Sequence, residues 1–104
     1  LPACVRQGTT IISNMGAANP PAAGGVALAV ARELGLPRLR VAVVEGDDVL
    51  PWVREHAPPL LDPLPGGPQT AADLGPRLVS ANSYLGADAL LPALAGGADV
   101  VLTG

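Results

Sequence analysis

Phenylalanine and lysine are absent from this 104-residue chain, and cysteine, histidine, tryptophan and tyrosine occur once each. The lone Cys4 cannot close an internal disulfide, and nothing beside it would activate its thiol, so it reads as structural. A reducing cytoplasm is the expected setting. All six cationic side chains are arginine and the net charge is -3. Such a chain lacks the basic face that binds nucleic acid by counterion release. No stretch approaches the ~20 apolar residues that span a bilayer. Residues 24–31 are too few, and the run from Leu90 to Leu102 is broken by Pro92, two glycines and Asp99. The opening Leu1-Pro2-Ala3-Cys4 has no basic segment ahead of an apolar one, so it is not a secretory signal. Neither nucleic acid nor a membrane is an expected partner.

What is present describes a globular core. The chain is 49% hydrophobic and only 14% charged, a balance that separates packed domains from disordered tails. Alanine, glycine, proline, leucine and valine dominate, a bias of GC-rich coding sequence rather than of function. The chain opens at Leu1 without methionine and stops within the apolar run Val101-Leu102-Thr103-Gly104. The expectation is therefore a single, partial α/β domain, residues 1–104, internal to a longer one.

Four segments read as strands: Thr9–Ser13, Leu39–Val44, Arg77–Asn82 and Ala98–Thr103. The second is a continuous apolar run after Arg40, as in parallel strands covered on both faces, and the fourth has Val100-Val101-Leu102 at its middle. Three helices are expected between them. Asn19 is placed to cap the first and Pro20 fits its first turn; Gly35 and Leu36-Pro37 stop it. Val26, Val30 and Leu34 form its apolar stripe, flanked by Ala23, Ala27 and Ala31. A shorter helix is expected from Asp47 or Asp48 to His56, and a third from Asp88 to Ala95. Residues 57–76, with six prolines and three glycines, read as a long structureless loop or lid. The alternation predicts an α/β fold: a Rossmann-like parallel sheet of about four strands built from βαβ units, with three helices.

Ligands of open parallel sheets bind at the carboxyl ends of the strands. That rule selects Ser13–Gly16, Glu45–Asp48, Asn82–Gly86 and Thr103-Gly104. The turn containing Asn14, Gly16 and Asn19 leads into a helix N-terminus, where free amides suit phosphate or carboxylate, or else it is a tight turn with an Asn cap. Its glycines lack the G-x-G-x-x-G spacing of the dinucleotide fingerprint. Glu45, Asp47 and Asp48 are three carboxylates within four residues, suited to a divalent ion or to acid–base work, or else to helix capping and solvent. No histidine or cysteine accompanies them, which argues against zinc, and no metal is assigned. Asn82, Ser83 and Gly86 offer a second polar turn. Tyr84 within it is either a catalytic acid or a packing residue with a solvated hydroxyl. Ser13, His56 and Asp48 lack the context of a hydrolase triad, His56 and Trp52 read as surface or core-edge residues, and no cofactor is indicated.

Three segments carry a family resemblance: residues 11–20 (IISNMGAANP), 41–49 (VAVVEGDDV) and 81–87 (ANSYLGA), continued by 96–104 (GGADVVLTG). In order and spacing they resemble the N-terminal domain of the acyclic terpene utilisation family, with Met15 standing where a small residue is expected. The resemblance implies a role in bacterial breakdown of branched terpenoids such as citronellol and geraniol, which proceeds through acyl-CoA thioesters. It passes on a pathway rather than a reaction. It also implies a glycine-rich strand before Leu1 and an arginine after Gly104, so a site built jointly with those parts would be inactive in this piece alone. The reading that follows is an enzyme, or part of one, holding a small anionic ligand such as an acyl-CoA. Asn14, Gly16, Asn19, Asn82, Ser83, Gly86 and Thr103 would bind it, and Glu45, Asp47, Asp48 or Tyr84 would act on it. The alternatives are a nucleotide- or ligand-binding module without catalysis, and a scaffold domain whose polar strand ends are only caps. Expected protein partners are the remainder of the same protein or identical subunits.

Overall fold

A computed structural model describes residues 1–104 throughout. In chain order the elements are α1 (Pro2–Gln7), β1 (Ile11–Ser13), α2 (Pro20–Glu33), β2 (Val41–Val44), α3 (Leu50–His56), α4 (Ala71–Leu74), α5 (Leu91–Ala95) and β3 (Val100–Thr103). Two 3-10 turns, Gly75–Arg77 and Ala87–Leu90, follow α4 and precede α5 respectively. No helix is long and apolar enough to cross a membrane. The chain divides into two compact units, residues 1–45 with 85–104, and residues 46–84.

The first unit holds a three-stranded parallel sheet in the order β1-β3-β2. Ile11 and Val41 both pair with Val100, and Ser13 and Val43 both pair with Leu102. β3 is thus the central strand and its Val101 is wholly buried. The α/β class holds, but the sheet has three strands rather than the four of a Rossmann-like arrangement. Arg77–Asn82 forms no strand: a 3-10 turn ends at Arg77, and Asn82 makes a single antiparallel bridge to Asp48. β1, α2 and β2 form the expected βαβ unit with parallel strands, and β3 inserts between β1 and β2 in the sheet.

Side chains alternate across a sheet, which puts Ile11, Val41, Val100 and Leu102 on one face. Ala31 and Leu39 complete the buried cluster there, with Leu1, Val5 and Leu36 packed around it. α1, in a segment given no element from sequence, supplies Val5, and Leu1 precedes the helix as its N-cap. α2 meets this face through Pro20, Gly24 and Ala31. The expected Val26–Val30–Leu34 stripe instead faces out, with these side chains 64%, 42% and 47% exposed. Geometry explains the exchange: a Cβ on Gly24 would lie 2.7 Å from Val43 Cγ2. The helix sits so close to the sheet that only its small residues fit beneath it.

The strand starts are tied by Asp99. Its carboxylate accepts the Arg40 backbone N–H at 2.8 Å, while its own N–H donates to the Arg40 carbonyl at 2.8 Å. The Arg40 guanidinium lies over Gly97, where a side chain would collide with it.

In the second unit, α3 begins after Asp48, whose Oδ1 accepts the Leu50 N–H at 3.0 Å. The segment 57–76 is not structureless. A bridge joins Pro59 to Thr70, and Thr70 and Asp73 form a capping box on α4. Thr70 and Gln69 backbone amides and the Thr70 hydroxyl hydrogen-bond the exposed Asp73 carboxyl, holding it below its ordinary value.

Candidate functional site

The carboxyl ends of β1 and β3 frame a cavity of about 460 Å³, lined by Ile12, Ser13, Asn14, Met15, Leu85, Gly86, Ala87, Leu90 and Thr103. Alternation along β1 sends Ile12 to the face opposite Ile11, so the cavity opens on the side away from α2. The 3-10 turn Ala87–Leu90 supplies the facing wall. A volume in this range is that of small-molecule sites.

The turn after β1 is built by local hydrogen bonds. Ser13 Oγ accepts the Met15 N–H at 3.1 Å, and the Gly16 carbonyl accepts the Asn19 N–H at 3.1 Å. Ala17 takes a left-handed conformation at φ 48, an uncommon setting for a residue with a Cβ. Gly16 is buried against β3: a Cβ there would be 2.5 Å from the Thr103 carbonyl and 3.0 Å from Pro20 Cα. Its role is to let the turn approach the strand. Asn19 accepts the Ala22 N–H through Oδ1 at 3.1 Å and the Ala23 N–H through its carbonyl at 3.1 Å. Pro20 and Pro21 carry no N–H. The start of α2 therefore presents no free amide, and of the two readings the sequence left open its bonds match the tight turn with an Asn cap.

Three of the sequence candidates, Asn14, Gly86 and Thr103, line this cavity together. Gly16 and Asn19 shape the adjoining turn rather than its lining. Glu45 is exposed beyond β2 and is not part of the lining. A second group forms within residues 46–84. Asn82 Nδ2 donates to Asp47 Oδ2 at 3.0 Å, and the Ser83 N–H donates to the Asp47 carbonyl at 2.8 Å. Asp48 is occupied by Leu50, and the Tyr84 side chain is fully exposed. No three acidic, histidine or cysteine side chains gather anywhere to hold a metal ion.

Residues 1–104, the whole chain, match the family model described as acyclic terpene utilisation family protein AtuA. The chain belongs to the acyclic terpene utilisation family. No curated protein and no solved structure matches it. In this member of the acyclic terpene utilisation family, three cavity residues lay outside the strand-end clusters picked from the sequence, Ile12, Ala87 and Leu90, while Ser13, Met15 and Leu85 lay inside them without an assigned role. Most are apolar, and a search for polar strand ends passes over them. The available signal was alternation in β1, which separates Ile12 from the core face, and the apolar Leu85 beside Gly86.

Proposed function

We propose that this chain serves the catabolism of acyclic terpenoids such as citronellol and geraniol by binding, or acting on, an acyl-CoA-type substrate at the cavity beside β1. The observation that carries the reading is the meeting of Asn14, Gly86 and Thr103 at one cavity on the carboxyl rim of a parallel sheet, where such folds bind ligands. Family membership supplies the pathway. Asn14 is the foremost binding residue, because its carboxamide has no protein partner in the hydrogen-bond network and faces solvent.

Glu45, Asp47, Asp48 and Tyr84 are kept as candidates for chemistry, and Asn82 and Ser83 for binding, none of them as part of this cavity. The Asp47–Asn82 hydrogen bond orients one carboxylate and one amide. The cytoplasm is the proposed location, and the outward Val26–Val30–Leu34 stripe supports contact with further protein of the same kind. The test is binding and turnover of a branched ten-carbon acyl-CoA by the whole protein, with Asn14→Ala beside it. Saturable binding weakened by that substitution supports the proposal. Absence of binding to the folded protein refutes it.

A further inference from the structure

The cavity beside β1 has no charged lining. Its polar groups are neutral, those of Ser13, Asn14 and Thr103, and the rest of its wall is apolar. The nearby start of α2 adds no donor, since Pro20 and Pro21 lack N–H groups and Ala22 and Ala23 are bonded to Asn19. Asp88, outside the lining, folds its carboxylate back against Gly86, where a Cβ would strike it. A phosphate or carboxylate lodged here would find neither a cation nor a free helix amide to hold it.

Neutral oxygen is served differently. Asn14 offers both a donor and an acceptor with no protein partner, held in place by the Ser13 Oγ bond to the Met15 N–H that shapes its turn. The Thr103 hydroxyl donates to the Gly104 carbonyl, which leaves its lone pairs to accept. Ile12, Met15 and Leu90 supply apolar surface alongside, with Met15 itself 83% exposed and so not engaged in the core. We infer that this cavity takes the uncharged hydrocarbon end of the ligand with one neutral oxygen function, an alcohol, carbonyl or thioester oxygen, and leaves the charged carrier outside. The inference rests on the ligand-binding reading of the same cavity and specifies which part of the ligand enters.

The experiment measures equilibrium binding to the whole protein of three probes: 3,7-dimethyloctan-1-ol, the CoA thioester of the matching acid, and CoA without an acyl group. The alcohol and the thioester should compete for one site, CoA alone should not displace the alcohol, and the alcohol's affinity should change less than about twofold between low and high salt, as for an interaction without charges to screen. Leu90→Asp should weaken the alcohol at least about tenfold by putting a charge in an apolar wall. Leu90→Ala, gentler on folding, should weaken it several-fold, and Leu64→Asp, outside the cavity, should leave it unchanged. Displacement of the alcohol by CoA alone, failure of the alcohol to compete with a bound thioester, or a folded Leu90→Ala protein of unaltered affinity overturns the inference while leaving acyl-CoA binding intact. Binding of the alcohol without the thioester supports the inference and removes the acyl-CoA proposal. Binding of neither removes both.

Discussion

Adjacent glycines in α2 play opposite parts. Gly24 lies against Val43, while a Cβ on Gly25 would meet nothing within 4 Å. Gly24→Ala should destabilise the protein by about 1–3 kcal/mol through overpacking. Gly25→Ala should stabilise it by roughly 0.5–1 kcal/mol, because it removes backbone freedom from the unfolded chain at no steric cost. Denaturant titration of the two single variants decides it, and equal effects would mean that α2 stands further from the sheet. Gly16 combines both themes, since its missing side chain lets the turn after β1 reach the Thr103 carbonyl. Gly16→Ala should therefore displace Asn14 and Thr103 relative to each other and weaken ligand binding as well as stability.

Among the elements, α2 and α4 show how much of the fold was legible and where legibility stopped. Asn19 and Gly35 bracketed α2 from sequence because capping is local chemistry, and the Asn19 side chain does accept from Ala22. Asn19→Ala should cost about 1 kcal/mol in unfolding free energy. The orientation of the same helix was not legible. Periodicity identified an apolar stripe but carried no information on distance from the sheet, and close approach favoured alanine and glycine over Val26, Val30 and Leu34. Apolar runs revealed β1, β2 and β3, whereas Leu78-Val79 was too short a run beside Gly75-Pro76 to make a strand. α4 was hidden by its proline-rich surroundings, although Thr70 and Asp73 have the spacing of a capping box. At the candidate site, Asn14, Gly86 and Thr103 were readable as polar or glycine strand ends; the apolar wall was not, since nothing in one sequence distinguishes a cavity leucine from a core leucine. The Asp73 carboxyl is held below its ordinary value, so its contribution to α4 is complete above the unfolded carboxylate range and is lost as pH falls through the lowered value. Limited proteolysis of segment 57–76 should accelerate on acidification below that range, and Asp73→Asn should abolish the pH dependence while raising cleavage at neutral pH.

For the molecule as a whole, the Arg40–Asp99 pair matters through its backbone bond more than through its charges. The guanidinium and carboxylate approach only to 4.0 Å, with the Arg40 side chain 64% and the Asp99 side chain 34% exposed, a loose pair worth at most about 1 kcal/mol. The 2.8 Å bond from the Arg40 N–H to the carboxylate is charge-assisted, of a kind worth roughly 1.5–3 kcal/mol. Asp99→Ala should accordingly destabilise the protein more than Arg40→Ala in parallel denaturation curves. The two units differ in burial as well. Residues 46–84 bury one apolar side chain, Ala71, while the sheet unit buries Val101, Val100 and their neighbours. Amide hydrogen exchange should therefore be slowest in β3 and faster by orders of magnitude across α3 and α4.

The central place of β3 has a consequence for the order of assembly. β1 and β2 have no ladder with each other; each is bonded only to β3. Contacts that complete the sheet span 88 residues from Thr10 to Ala98 and 59 from Arg40 to Asp99. Within residues 1–104 the ladders of β1 and β2 both wait on residues 100–103, so this part of the sheet closes last at its central strand. Such long loops slow nucleation, and an incomplete chain of this kind is a natural client for chaperones that mask unpaired strands.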